Sequence, residues 1–224
     1  MLRSDTARRA LRVIVDRGGK RVLWAVLVVW LASVGTGLAW LMAYDNTPGT
    51  AANAPGGWPA GSTLARDAAG PTLVMLAHPR CDCTKASIGE LAELLARAPR
   101  RPRTFVVFIR PGGVEAAWER TGTFDQATRI PGVTVVRDDY GDEAMRFGVS
   151  TSGQTLLYDG DGHLVYAGGI TGSRGKPGTN TGRSTLLELL AGAHPARATT
   201  PVFGCSLFSW LKRDTKAQGE GNGS

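Results

Sequence analysis

The sequence predicts an α/β domain with a mixed β-sheet, preceded by one N-terminal transmembrane helix. Three observations lead to this fold class. Residues 22–44 contain no charged side chain. Short β-rich runs then alternate with runs of helical periodicity, which indicates a parallel sheet core. Two later β-rich runs joined by Gly-Asp-Gly form a hairpin, so part of the sheet is antiparallel.

The uncharged stretch 22–44 is long enough to cross a membrane. At about 1.5 Å per residue, a helix of this length spans the roughly 30 Å of hydrocarbon in a bilayer. Trp24, Trp40 and Tyr44 lie near its ends, where amphipathic rings prefer the membrane interface. We therefore expect the lipid bilayer as a partner. The small-residue sequence at 52–54 leaves a cleaved signal peptide as the alternative, but the length of the apolar stretch favours an uncleaved anchor.

The net charge of +7 is concentrated before this span. Residues 1–21 hold seven Lys and Arg side chains against two Asp, a net charge of +5, which leaves +2 for the remaining chain. A nucleic-acid partner is not expected, because such domains carry a clustered basic surface. With Asp45 after the span, the positive-inside rule predicts that residues 1–21 are cytoplasmic and that the rest is exported.

The exported part divides into a linker, a domain and a tail. Residues 45–70 are dominated by Gly, Ala, Pro and Thr, which predicts a flexible linker. The domain is expected over residues 71–211, and the polar residues 212–224 predict a disordered tail. Within the domain, strands are predicted at 72–77, 103–110, near 133–136, 155–159 and 163–166, and helices at 88–95, 114–120, 143–147 and 186–190.

Two cysteines, Cys81 and Cys83, follow the first predicted strand and precede the first helix. A helix N-terminus stabilises a thiolate, which is the nucleophile of disulfide exchange. The basic side chains of Arg80 and Lys85 add to this effect, whereas Asp82 opposes it. A disulfide across one residue closes a small ring, and its strain would make it easy to reduce. The position and the pair together are typical of a thioredoxin fold, in which the first cysteine is the exposed attacker and the second resolves the mixed disulfide.

Other interpretations of the cysteines remain open. Two thiolates with His78 or Cys205 form a soft ligand set suited to Cu(I). The pair could also be two buried, inert thiols. Cys205 lies in the apolar segment 201–207, which either packs onto the domain or supplies a third thiol that relays a disulfide. An exported chain with three cysteines has at least one thiol that is free, transient or paired with another molecule.

The chain resembles the membrane-anchored TlpA/ResA-like thioredoxins, and within that group it looks most like the RedB-like proteins of bacteria. Three stretches carry the resemblance: 72–91 (TLVMLAHPRCDCTKASIGEL), 151–175 and 201–207. It implies an exported thioredoxin-like domain with a redox or assembly role and does not supply a substrate. Together with the cysteine pair, we expect a thiol-disulfide oxidoreductase without a cofactor, acting on a protein or small-molecule thiol or disulfide. The resemblance also implies a single-pass protein of the bacterial inner membrane with its domain in the periplasm. A redox-inactive interaction module is a further alternative.

The sequence departs from that family in two places. The redox thioredoxins have Cys-x-x-Cys, whereas only Asp82 separates the cysteines here. They also place a cis-proline before the hairpin strand, against the disulfide, where it positions a bound peptide strand. Gly153 stands at that place, and the Ser152–Gly153 bond is expected to be trans. The expected neighbours of the site are His78, Pro79, Arg80, Asp82, Ser152 and Gly153.

Overall fold

The computed structural model describes residues 3–115, 117–193 and 199–209, with side chains from residue 19 onward. The chain divides into two compact units, residues 1–45 and 46–224, which are described separately. The predicted tail 212–224 and the last two residues of the predicted domain lie outside the described residues.

The first unit is a single helix, α1 (Arg3–Asn46). From Gly19 to its end the helix has a mean hydropathy of 2.1 in its most apolar 18-residue window, and none of that window is buried. Among the described residues, this is one helix that is long and apolar enough to cross a membrane. The predicted span 22–44 falls within it.

The second unit is built on a five-stranded mixed sheet in the order β3-β2-β1-β4-β5. β1 is parallel to β2, and β2 is parallel to β3. β4 is antiparallel to β1, and β5 is antiparallel to β4. The predicted mixed sheet with a late hairpin is therefore confirmed. The strands are β1 (Thr72–Ala77), β2 (Arg103–Arg110), β3 (Val133–Asp139), β4 (Thr155–Tyr158) and β5 (Leu164–Gly168).

Hydrophobic clusters cover both faces of the sheet, which explains why every residue of β1 is buried. Leu73 and Met75 point to one cluster, and Val74 and Leu76 point to the other. This alternation follows from the two-residue period of a strand. The helices of the domain are α2 (Asp82–Arg97), α3 (Gly122–Thr128), α4 (Asp142–Arg146) and α5 (Thr181–Leu190).

One predicted helix was misplaced. Residues 117–119, within the predicted helix 114–120, form a turn, and the helix in this region is α3. The Thr121 hydroxyl accepts a hydrogen bond from the backbone N–H of Phe124, and this cap begins the helix after the predicted segment.

The predicted flexible linker 45–70 also needs correction, because much of it packs on the domain. The ring of Trp58 lies edge-on to Phe147 and Tyr158, with centroids 5.2 and 5.1 Å away. Leu64 is buried in the same cluster. Backbone bonds add to this packing, such as the one from Asn53 to the Gly148 carbonyl (2.9 Å). The low apolar content of this segment gave no sign that it packs on the domain. Two large side chains and several backbone hydrogen bonds are enough to hold it there.

Candidate functional site

Cys81 is the last residue before α2 and occupies its N-cap position with an extended backbone (φ −115°, ψ 119°). β1 ends at Ala77, so the strand and the helix place the cysteine motif at their junction, as the sequence predicted. The expected exposure of Cys81 is wrong, because its side chain is only 3% exposed. Cys83 is half-buried, and Asp82 between them is exposed in the first turn of the helix.

Cys81, Cys83 and Cys205 are all free thiols, and Cys81 influences the pKa of each of the other two. The Cys205 thiol donates a hydrogen bond to the Cys81 sulfur, and this bond is the main reason that the pKa of Cys81 falls to about 5. Burial opposes the shift, while the backbone N–H of Cys205 and the amide and hydroxyl of Thr84 support it. The structure therefore favours a thiolate at Cys81 at neutral pH.

The two neighbouring thiols keep their protons. Burial raises the pKa of Cys83, and the charge and hydrogen bond of Cys81 raise it further. The hydrogen bond to Cys81 raises the pKa of Cys205, and burial adds to that rise. Arg174 opposes both shifts through its charge. One thiolate is thus accompanied by two thiols that keep their protons.

The loop before β4 sits against the start of α2, where the resemblance placed it. The Ser152 hydroxyl accepts the backbone N–H of His78 (2.8 Å) and lies 2.6 Å from the Thr84 hydroxyl. The N–H of Gly153 donates to the carbonyl of Leu76 in β1 (2.8 Å). The Ser152–Gly153 bond is trans, as expected.

Gly153 is required at its position for two reasons. Its φ of +84° lies in the left-handed region that favours glycine. A Cβ atom there would lie 2.7 Å from the hydroxyl of Ser87 on α2. The glycine therefore lets this loop approach the helix that carries the cysteines.

The segment that contains Cys205 pairs with this same loop. The N–H of Ser152 donates to the Cys205 carbonyl (2.9 Å), and the N–H of Leu207 donates to the Ser150 carbonyl (2.8 Å). Thr151 and Ser206 form an antiparallel bridge between these two bonds. The predicted packing of the apolar side chains is confirmed, since Val202, Phe203 and Leu207 are buried.

The remaining predicted neighbours form a surface beside the cysteines. The ring of His78 lies edge-on to Trp118 with centroids 5.5 Å apart, and its Nδ1 accepts the N–H of Arg80 (3.1 Å). The guanidinium of Arg80 lies 4.8 Å from the centre of the Trp118 ring. The Pro79 carbonyl accepts the hydroxyl of Thr121 (2.9 Å). His78 is thus turned toward Trp118, and its place in a Cu(I) site stays a prediction.

The sequence reasoning missed Thr84, Trp118 and Arg174 as members of this site. Thr84 is the third residue after the N-cap residue Cys81, and its backbone N–H donates to the Cys81 carbonyl (2.9 Å), so its place follows from where α2 begins. Trp118 and Arg174 reach the site from distant loops, so their positions depend on tertiary structure.

A group of possible metal ligands lies elsewhere, on the β4–β5 hairpin. Ligand atoms of Asp159, Asp161 and His163 lie within 4.8 Å of one another. The Asp159 carboxylate accepts the backbone N–H groups of the other two (3.0 and 2.8 Å). These bonds are those of a carboxylate that stabilises a turn, and they account for the cluster.

The chain is similar in structure to several solved proteins. No protein-family model matches the chain, and no curated protein matches it. An uncharacterized conserved protein from Geobacillus kaustophilus is 18% identical with a TM-score of 0.55, over 72% of this chain and 96% of that one. A hypothetical protein from Sinorhizobium meliloti is 18% identical with a TM-score of 0.48, over 71% and 97% of the two chains. A secreted disulfide oxidoreductase of Mycobacterium tuberculosis is 15% identical with a TM-score of 0.39, over 55% and 82%.

The fold is thioredoxin-like. The mixed sheet, its strand order and the position of the cysteine motif between β1 and α2 all agree with this assignment. At these identities the likeness extends to the fold alone.

Proposed function

We propose that this protein is a membrane-anchored thiol-disulfide oxidoreductase whose domain is extracytoplasmic, with Cys81 as the nucleophile and Cys83 as a resolving thiol. The observation that supports it best is the buried Cys81 thiol at the N-terminus of α2, with its pKa lowered to about 5. At pH 7 a thiol with this pKa is ~99% ionised, against roughly 3% for an ordinary cysteine.

The reaction follows from this arrangement. The Cys81 thiolate attacks a substrate disulfide R–S–S–R′, forms Cys81–S–S–R and releases R′S⁻. Cys83 then loses its proton and attacks the Cys81 sulfur, which releases RS⁻ and leaves a Cys81–Cys83 disulfide. Two electrons pass from the protein to the substrate, and both released thiolates take up protons. The reverse sequence oxidises a dithiol substrate.

The proposed location rests on α1 and on the charges at its two sides. Anchoring through residues 22–44 with residues 1–21 in the cytoplasm would place the domain in the periplasm of a bacterium. This compartment is oxidising, which suits a chain that exchanges disulfides. Alkylation of cysteines by a membrane-impermeant maleimide in intact spheroplasts tests the orientation. Labelling only after lysis would contradict it.

A variant with Cys81 as its only cysteine tests the proposed nucleophile. The full-length Cys83→Ser/Cys205→Ser protein in detergent should form a stable mixed disulfide with glutathione disulfide at Cys81, detectable by mass spectrometry. The matched control with Cys83 as its only cysteine should react more slowly at pH 6, because burial, the largest cause of the raised pKa of Cys83, remains after Cys81 is replaced. A Cys81 thiol that remains unmodified would exclude the proposal.

The copper alternative makes a different prediction. Stoichiometric Cu(I) should stay bound in competition with a chelator and should be lost in Cys81→Ser. Weak binding that survives this substitution would argue against copper as the cargo.

A further inference from the structure

Cys205 reaches the site as part of a strand that the chain supplies itself. Residues 205–207 pair with residues 150–152 through the two backbone bonds and the bridge described above. The carbonyl of Gly204 accepts a further bond from the Arg174 guanidinium (2.8 Å). A Cβ atom at position 204 would overlap the carbonyl oxygen of Ser152. Only glycine therefore allows the backbone of this strand to approach the loop so closely. These contacts hold Cys205 on the loop whose Ser152 hydroxyl accepts the His78 N–H and lies 2.6 Å from the Thr84 hydroxyl, at the start of α2 next to Cys81.

The pairing occupies the backbone groups that an external strand would use at this loop. The Ser152 N–H and the Ser150 carbonyl are both bonded to residues 205–207. A peptide could pair here only after displacing that segment. With the segment in place, an external molecule has to reach the sulfurs by another route.

The exposure of the three thiols defines that route. Cys81 is buried, Cys83 is half-buried and Cys205 is exposed. Cys81 is thus the least exposed of the three residues, and Cys205, whose side chain lowers the pKa of Cys81, is the most exposed as a residue.

We infer that Cys205 is a third redox thiol, which forms a disulfide with Cys81 and is the sulfur that an external thiol attacks. This inference rests on the proposed function, since it requires a redox-active Cys81. It names the substrate class as a dithiol that approaches Cys205 from solvent, without pairing along residues 150–152.

Two exchange steps oxidise the dithiol. An external thiolate RS⁻ attacks the Cys205 sulfur of the Cys81–Cys205 disulfide, and the bonding pair leaves on Cys81 as a thiolate. A second thiolate R′S⁻ attacks the R sulfur of the mixed disulfide R–S–S–Cys205. The product R–S–S–R′ departs, and Cys205 takes up a proton. The substrate loses two electrons, which now reside on Cys81 and Cys205.

The direction of attack follows from the surroundings of Cys81. Exchange is faster when the departing sulfur is the better-stabilised thiolate and when the attacked sulfur is accessible. Cys81 lies at the N-terminus of α2 beside the Thr84 N–H, and it is buried. Cys205 meets the second condition because it is exposed.

The test uses the full-length Cys83→Ser protein in detergent, which retains Cys81 and Cys205. After treatment with glutathione disulfide and blocking of free thiols, peptide mapping should find Cys81 joined to Cys205. One equivalent of reduced glutathione, followed by an iodoacetamide quench, should then place glutathione on Cys205 and the alkyl group on Cys81. Glutathione on Cys81 would overturn the direction of attack.

Failure of this inference can be distinguished from failure of the proposed function. Glutathione on Cys81 without any Cys81–Cys205 bond would overturn the inference and leave the proposed function standing. No modification of Cys81, either here or in the variant with Cys81 as its only cysteine, would overturn both.

Arg174 provides a second measurement, which depends on the docked strand. Arg174→Met removes the bond to Gly204, and loss of one charge-assisted hydrogen bond corresponds to about a tenfold decrease in the ratio of bridged to glutathionylated Cys81. The matched control is Lys176→Met, an exposed basic residue in the same loop, which should leave the ratio unchanged. Equal ratios in the two variants would overturn the role of the docked strand.

Discussion

Removing the thiol of Cys205 should raise the pKa of Cys81. The Cys205 side chain donates the hydrogen bond that is the largest cause of the low pKa of about 5 at Cys81. In Cys205→Ala this donor is lost, so the thiolate form of Cys81 is less favoured and its pKa moves up. The backbone N–H of residue 205 and the groups of Thr84 remain, and for this reason the pKa should not return fully to that of an ordinary cysteine.

The size of the change follows from the strength of one hydrogen bond to a charged group. Such a bond contributes ~1.5–3 kcal/mol, and 1.36 kcal/mol corresponds to one pH unit, so the midpoint should rise by ~1–2 pH units. Cys205→Ser is the matched control. Its hydroxyl can still donate to the Cys81 sulfur, and its midpoint should stay closer to that of the unaltered protein.

Alkylation of Cys81 by iodoacetamide between pH 4 and 9, followed by peptide mass spectrometry, measures the midpoint. The midpoint is a better readout than the rate at one pH, because a thiolate of higher pKa is also intrinsically more nucleophilic and the two effects partly cancel. The unaltered protein should show a midpoint at a pH of about 5. An identical midpoint in Cys205→Ala would refute the assignment of Cys205 as the donor.

Three further substitutions test contacts within the domain through chemical denaturation. Gly153→Ala should destabilise the domain by ~1–3 kcal/mol more than Gly61→Ala. Both glycines have a positive φ, but only an alanine at position 153 would meet the Ser87 hydroxyl. Equal losses of stability in the two variants would contradict this close approach. Trp58→Ala should lower the free energy of unfolding by ~2–4 kcal/mol, whereas Met145→Ala, at a residue that is 56% exposed, should lower it by less than about 0.5 kcal/mol. Equal losses in the two variants would support the prediction of a flexible linker. Glu90→Gln should cost ~3–5 kcal/mol, because it removes the buried negative charge that pairs with the largely enclosed guanidinium of Arg183. Glu93→Gln removes only an exposed pair with Arg97 worth ~0.5 kcal/mol, and similar costs for the two variants would contradict the pairing of Glu90 with Arg183.

The sequence predicted those parts of the fold that have a local signal. β1 is a run of six apolar or small residues, and the hairpin between β4 and β5 has a Gly-Asp-Gly turn, so both were predicted close to their observed bounds. The position of Cys81 and Cys83 followed from β1 and the periodicity of α2. These elements depend on neighbours in sequence.

The remaining features depend on contacts between distant residues. The pairing of residues 205–207 with residues 150–152 joins segments more than 50 positions apart, and no periodicity indicates it. The burial of Cys81 and the packing of Trp58 have the same origin. α3 was missed because seven residues with few large apolar side chains give little helical periodicity.

The most direct test of the central claim, thiol-disulfide exchange at Cys81, is a redox titration of the full-length protein in glutathione buffers of defined potential. The fraction of oxidised Cys81 should follow a two-electron curve with one midpoint, and Cys81→Ser should abolish the transition. Removal of Cys205 should shift that midpoint, because the thiol stabilises the reduced form of Cys81. A Cys81 thiol that stays reduced across the whole range of potentials would contradict the account.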